Sequence, residues 1–180
     1  MSLFSNLNQV RAQIFAAARE AGREPSTVRL VAVSKTKPAA MVDEAAEAGQ
    51  KIFGENYVQE FISKVASVRA PVEWHFIGHL QSNKVRQIAG LVSMIHSVDR
   101  LSLAREIDRQ WGRTGKVCDV LIQVNLSGEA TKSGTTTEEA ISLVRQVAVL
   151  ENVRSINIAG LGCASWLSLM NWSRKYRLSS

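Results

Sequence analysis

Val28-Arg29-Leu30-Val31-Ala32-Val33-Ser34-Lys35-Thr36-Lys37-Pro38 holds an apolar run that stops at a lysine, with a proline three residues on. The run is nearly continuous rather than alternating, which is the pattern of a strand covered on both faces in a parallel sheet. From Pro38 a helix is expected. Ala39, Ala40, Val42, Ala45 and Ala46 recur at helical spacing, and Gly49 is the expected stop.

The same unit repeats along the chain. Ahead of it, Leu3, Leu7, Val10 and Ile14 mark an opening helix that ends at Gly22. Behind it, strands are predicted over 51–54, 73–77, 93–98, 117–126 and about 154–160. Helices over 57–67, 82–90, 100–111 and 137–150 separate them. Six strands alternating with helices predict an α/β fold with a parallel sheet. Spacing alone leaves a doubly wound sheet and a (β/α) barrel open. No Gly-x-Gly-x-x-Gly follows a strand and no Walker A pattern occurs, so those nucleotide folds lose support. A complete eight-stranded barrel needs roughly 250 residues, and the chain has 180.

Composition points to an ordinary globular chain. Its apolar stretches are too short to span a bilayer as helices, and Met1–Leu7 lacks the pattern of a signal peptide. Cys118 and Cys163 form neither a disulfide framework nor a metal-ligand spacing. A cytoplasmic protein is expected, with no membrane partner. The net charge of +6 would suit nucleic acid, but half of it comes from Arg174, Lys175 and Arg177 in a tail without acidic residues. The rest is scattered, so no nucleic-acid partner is expected.

Lys35 is the first candidate for chemistry. Strand carboxyl ends are where α/β proteins gather functional groups, and a buried amine there can lose its proton and attack a carbonyl. The segment alone also fits a lysine that leaves the strand for water. Two further segments share that position: Phe53-Gly54-Glu55-Asn56-Tyr57-Val58-Gln59-Glu60, and Trp74-His75-Phe76-Ile77-Gly78-His79-Leu80-Gln81-Ser82-Asn83-Lys84. In a parallel sheet their carboxyl ends lie on one side, so Lys35, Asn56 and the His75–Asn83 segment are expected at one mouth.

In these three segments the sequence resembles the pyridoxal phosphate homeostasis proteins, fold-type III relatives of alanine racemase. Asp99-Arg100, Gln123-Val124-Asn125 and Lys132-Ser133-Gly134 also fit, and the resemblance runs to about residue 160. It implies a TIM-type (β/α) barrel, here incomplete, with about six parallel strands and an extra N-terminal helix over residues 1–160. It also implies one pyridoxal 5′-phosphate joined as an aldimine to Lys35. Val31, Val33 and Lys35 share a face by the period of two, and Lys37, of the same parity, is set aside because it lies past the strand end just before Pro38. Asn56 is expected to meet the cofactor's ring substituents, or else to cap the helix starting at Tyr57. His75 lines the pocket or is a core histidine. Trp74 reads as packing, Ser82 as a helix cap and Cys118 as core.

The resemblance stops near Leu161. The family continues with further βα units and a phosphate-gripping segment, where this chain has an atypical tail over 161–180, read as an altered reading frame. Open sheet edges then predict self-association. The expected function is pyridoxal phosphate binding and homeostasis without strong turnover. A weak racemase-like enzyme and a fragment that no longer binds the cofactor are the alternatives. A racemase needs a second base opposite the lysine, and the sequence displays none.

Overall fold

A computed structural model of the chain describes residues 2–126 and 133–161. Its elements are α1 (Leu3–Glu20), β1 (Ala32–Val33), α2 (Ala39–Glu47), β2 (Ile52–Glu55), α3 (Val58–Val65), β3 (Glu73–Phe76), α4 (Val85–Ile88), β4 (Met94–Val98), α5 (Leu101–Gly112), β5 (Cys118–Asn125), α6 (Thr137–Val147) and β6 (Val153–Leu161). The strands form one sheet in the order β1-β2-β3-β4-β5-β6. The pairs β1–β2, β4–β5 and β5–β6 are parallel. β1 and β6 are the outer strands, and among the described residues no pairing joins them. The sheet is therefore open, six strands of the kind that a complete barrel closes with eight.

Between His75 and Phe76 the chain divides into two compact units. In the first, Phe53 and Trp74 project from neighbouring strands onto the side covered by α3. Trp74 meets Phe53 at 5.8 Å and stands edge-on to Phe61 of α3 at 5.6 Å, so this tryptophan is packing, as expected. α2 ends as Gly49 takes φ +82, and the N–H groups of Gly49 and Gln50 return to the carbonyls of Ala46 and Ala45. Arg11 of α1 donates to the Ala48 carbonyl at 2.9 Å, which puts a cation on the end of α2. Asp43 accepts from the N–H groups of Arg69 and Ala70, closing the turn that leads to β3.

In the second unit β5 is buried along nearly its whole length, as an inner parallel strand should be. Trp111 of α5 and Val147 of α6 are buried with it. Thr136 caps α6 by accepting from the Glu139 N–H, and Glu138 and Glu139 follow in the first turn. Cys118 is fully buried, and desolvation pushes its thiol well up, which makes it core rather than a reactive group.

Two expectations are corrected. The strand expected over 29–34 is only Ala32–Val33, because Gln50 Nε2 takes the Leu30 carbonyl at 2.8 Å and the chain turns at Ser34. The helix expected over 82–90 is a 3-10 turn, Ser82–Lys84, followed by a single α turn. Ser82 is not its cap; its Oγ accepts from Arg100 Nη2 at 3.4 Å. From residue 162 on, the expected tail lies outside the described residues, as does Lys132.

Candidate functional site

The Lys35 segment is a tight turn. The Ser34 N–H still donates to the Gly54 carbonyl, one bond past β1, and the Lys37 N–H then closes back on the Ser34 carbonyl at 3.0 Å. Lys35 and Thr36 are the two central residues. Thr36 has φ +63, the left-handed region, which a β-branched residue rarely adopts. Local backbone strain of this kind needs surrounding contacts to hold it. The strand ends two residues before Lys35, so the lysine is carried on the turn and is exposed, where the sequence suggested a buried amine.

Asn56 follows the neighbouring strand, β2. Val33 pairs with Gly54 in the parallel ladder, so Lys35 and Asn56 each follow a paired position by two residues, just past the carboxyl ends of neighbouring strands. Asn56 does not cap α3. Tyr57 holds that position, with no side-chain cap bond. The Asn56 Oδ1 is buried and has no hydrogen-bond partner. A buried acceptor left in this state is costly unless something completes it.

His75 follows on β3, whose first N–H, that of Glu73, donates to the Lys51 carbonyl. Because Trp74 faces Phe53, alternation puts His75 on the side of Gly54. Its Nε2 lies 3.0 Å from Glu73 Oε1, and Glu73 Oε2 accepts from Arg29 at 2.8 Å. The ring is thus engaged two residues back toward the amino end of the sheet, as a core histidine would be. The three sequence candidates lie in the first unit; Lys35 and Asn56 follow the ends of β1 and β2, and His75 lies within β3.

The opposite face of the same strands holds a group that is not among the three sequence candidates. Lys64 of α3 donates to the Ser34 carbonyl at 2.7 Å, to Glu55 Oε1 at 2.6 Å and to Glu60 Oε1 at 2.8 Å. Ser34 Oγ donates to the same Glu55 oxygen at 2.6 Å, and the Thr36 N–H donates to Glu60 Oε1 at 2.5 Å. The Lys64 ammonium holds the Glu60 carboxyl below its ordinary value, with the Thr36 N–H adding to the effect and burial opposing it. The spacing of Glu60 and Lys64, four apart on a helix, was the available signal.

In the second unit, Arg100 joins two of the motifs. It pairs with Asp99 at 2.6 Å and donates to the Leu80 carbonyl at 3.2 Å. Ser133 Oγ lies 3.3 Å from Nδ1 of the exposed His79. No group of metal-ligating side chains occurs among the described residues, and no helix among them is long and apolar enough to cross a membrane.

Residues 5–165 match the family of the alanine racemase N-terminal domain. A pyridoxal phosphate homeostasis protein from Pseudomonas aeruginosa is 48% identical over 154 residues, covering 85% of this chain and 67% of that one. The chain belongs to the pyridoxal phosphate homeostasis proteins of that family. It spans about two thirds of the length of the curated relatives it matches. Among solved structures, a protein of unknown function from Bifidobacterium adolescentis superposes with a TM-score of 0.83 at 32% identity, over 90% of this chain and 70% of that one. PipY of Synechococcus elongatus, solved with pyridoxal phosphate bound, superposes with a TM-score of 0.70 at 34% identity, over 84% and 70% of the two chains.

Proposed function

We propose that the chain binds pyridoxal 5′-phosphate through Lys35 and serves pyridoxal phosphate homeostasis in the cytoplasm, without strong turnover. The observation that carries this reading lies just past the ends of two paired strands: an exposed lysine on a strained turn after β1, and after β2 an amide oxygen that is buried and unpartnered. The cofactor-bound relative at 34% identity supports the choice of ligand. Lys35 would hold the cofactor through its amine, and the bound group would supply an electrophilic aldehyde and an electron-withdrawing ring. Asn56 would hold a polar ring substituent with its unpartnered oxygen, and His75 would form a wall on β3. Catalysis of racemisation would need a second base facing Lys35, and this reading assigns none.

Absorbance of the protein mixed with pyridoxal phosphate tests this directly. A protonated-imine band is expected in the wild type, reducible by borohydride onto the peptide that contains Lys35, and absent in Lys35→Ala. Asn56→Ala should keep the fold and weaken retention, since its orphaned oxygen loses nothing in the free protein. A folded wild type without the band, or a band kept in Lys35→Ala, sinks the reading. The open margins at β1 and β6 extend the proposal to self-association, which sedimentation over a range of concentrations would detect as a rising mass.

A further inference from the structure

We propose that Glu60 and Lys64, with Glu55, are positioning residues for Lys35: they hold the Ser34–Lys37 turn in its strained form and so set where the amine points. The inference rests on the reading that Lys35 is the attachment point. Donors and acceptors account for the assignment. An ammonium has three N–H donors, and all three of Lys64 are used, on the Ser34 carbonyl, Glu55 and Glu60. Two of those acceptors also grip the turn. Glu55 Oε1 takes the Ser34 hydroxyl, and Glu60 Oε1 takes the Thr36 N–H. The turn is held at Ser34 Oγ, Ser34 O and Thr36 N, immediately on either side of Lys35.

Stability alone is a poor account of this cluster. The Glu55 side chain is fully buried and that of Lys64 is 5% exposed. Desolvating both charges offsets much of their attraction, and apolar side chains of similar size would hold α3 on the sheet as well. Apolar side chains would not hold Thr36 at φ +63. That conformation opposes the preference of a β-branched residue, and the bond from its N–H to Glu60 spans 24 positions of sequence. Released from Glu60, the turn can relax, and the amine moves with it. A displacement of about 1 Å is enough to slow a bond-forming step by large factors.

Glu60 is the residue to change, because it is part-exposed and Gln preserves its accepting oxygen. Wild type, Glu60→Ala and Glu60→Gln would be compared by the rate of borohydride-trapped pyridoxal phosphate on Lys35, and by amide exchange at Thr36. Trapping on the exposed Lys51 serves as the internal control. We expect Glu60→Ala to slow trapping at Lys35 on the order of tenfold and to speed exchange at Thr36, with Lys51 unchanged. Glu60→Gln should restore both. Wild-type trapping at Lys35 in Glu60→Ala would overturn the proposal, as would a loss that Glu60→Gln does not recover. If the wild type itself forms no adduct on Lys35, the functional reading falls and Thr36 exchange judges the clamp alone. Faster exchange in Glu60→Ala then supports it, and unchanged protection overturns it.

Discussion

Lys64 Nζ lies 2.6 Å from Glu55 Oε1, with both side chains out of solvent. The pair joins β2 to α3 beneath the Lys35 turn, and neither partner has water to fall back on. Removing one leaves the other as an uncompensated buried charge. Lys64→Met should therefore cost about 3–5 kcal/mol of folding stability. The double change Glu55→Leu with Lys64→Met should recover most of that, because no charge is then stranded. Urea denaturation of the three proteins checks this; equal losses in the single and double variants would refute it.

Acid should weaken the fold through particular carboxylates. Glu60 sits below its ordinary value of 4.5, chiefly through the hydrogen bond from Lys64. Glu106 does so chiefly through Arg109, and Asp43 lies below 3.8 chiefly through the Ala70 N–H. A carboxyl whose folded pKa is depressed binds its proton more readily in the unfolded chain. Its contribution is complete above the ordinary value and is lost as pH falls through the folded one. Urea midpoints should hold from pH 7 to about 5 and decline below that. Glu60→Gln should flatten the decline; a midpoint that does not fall toward pH 3 would contradict the assignment.

Gly134 is expected to resist substitution. Its φ is +136, and a Cβ there would stand 2.6 Å from the Asn125 nitrogen and 3.0 Å from the Val124 carbonyl carbon. The contact is backbone against backbone, so no side chain can give way. It exists because Thr135 donates to the Gln123 carbonyl while Asn125 donates to that of Thr135, each at 2.9 Å. Gly134→Ala should break this pairing and destabilise the chain by roughly 1–3 kcal/mol. Rapid exchange at the Asn125 and Thr135 amides would be the sign, and wild-type protection at both would exclude it.

The fold was largely readable because its signals are local. Six apolar runs separated by helical spacing give the parallel order, and the ends of β2 through β6 fall within a residue or so of expectation. β1 is the exception. An apolar run reports that a segment is buried, not which partner takes its carbonyls, and the Gln50 side chain takes the one from Leu30. Asn56 carried two readings, ligand group or helix cap, for a related reason: capping residues and strand-exit residues have the same composition, and only the backbone at Tyr57 separates them.

Sequence by itself determined the alternation of strands and helices, the family, and the lysine on which the proposed function turns. Each of these rests on periodicity or on contiguous motifs. Tertiary structure alone decided that Lys35 rides on a turn with Thr36 in the left-handed region, and that Glu60, Lys64 and Glu55 grip that turn from below. Those bonds join residues 21 to 30 positions apart. The energy of such a bond depends on distances that exist only once β1, β2 and α3 have packed together, and the spacing of residues along the chain carries no record of it.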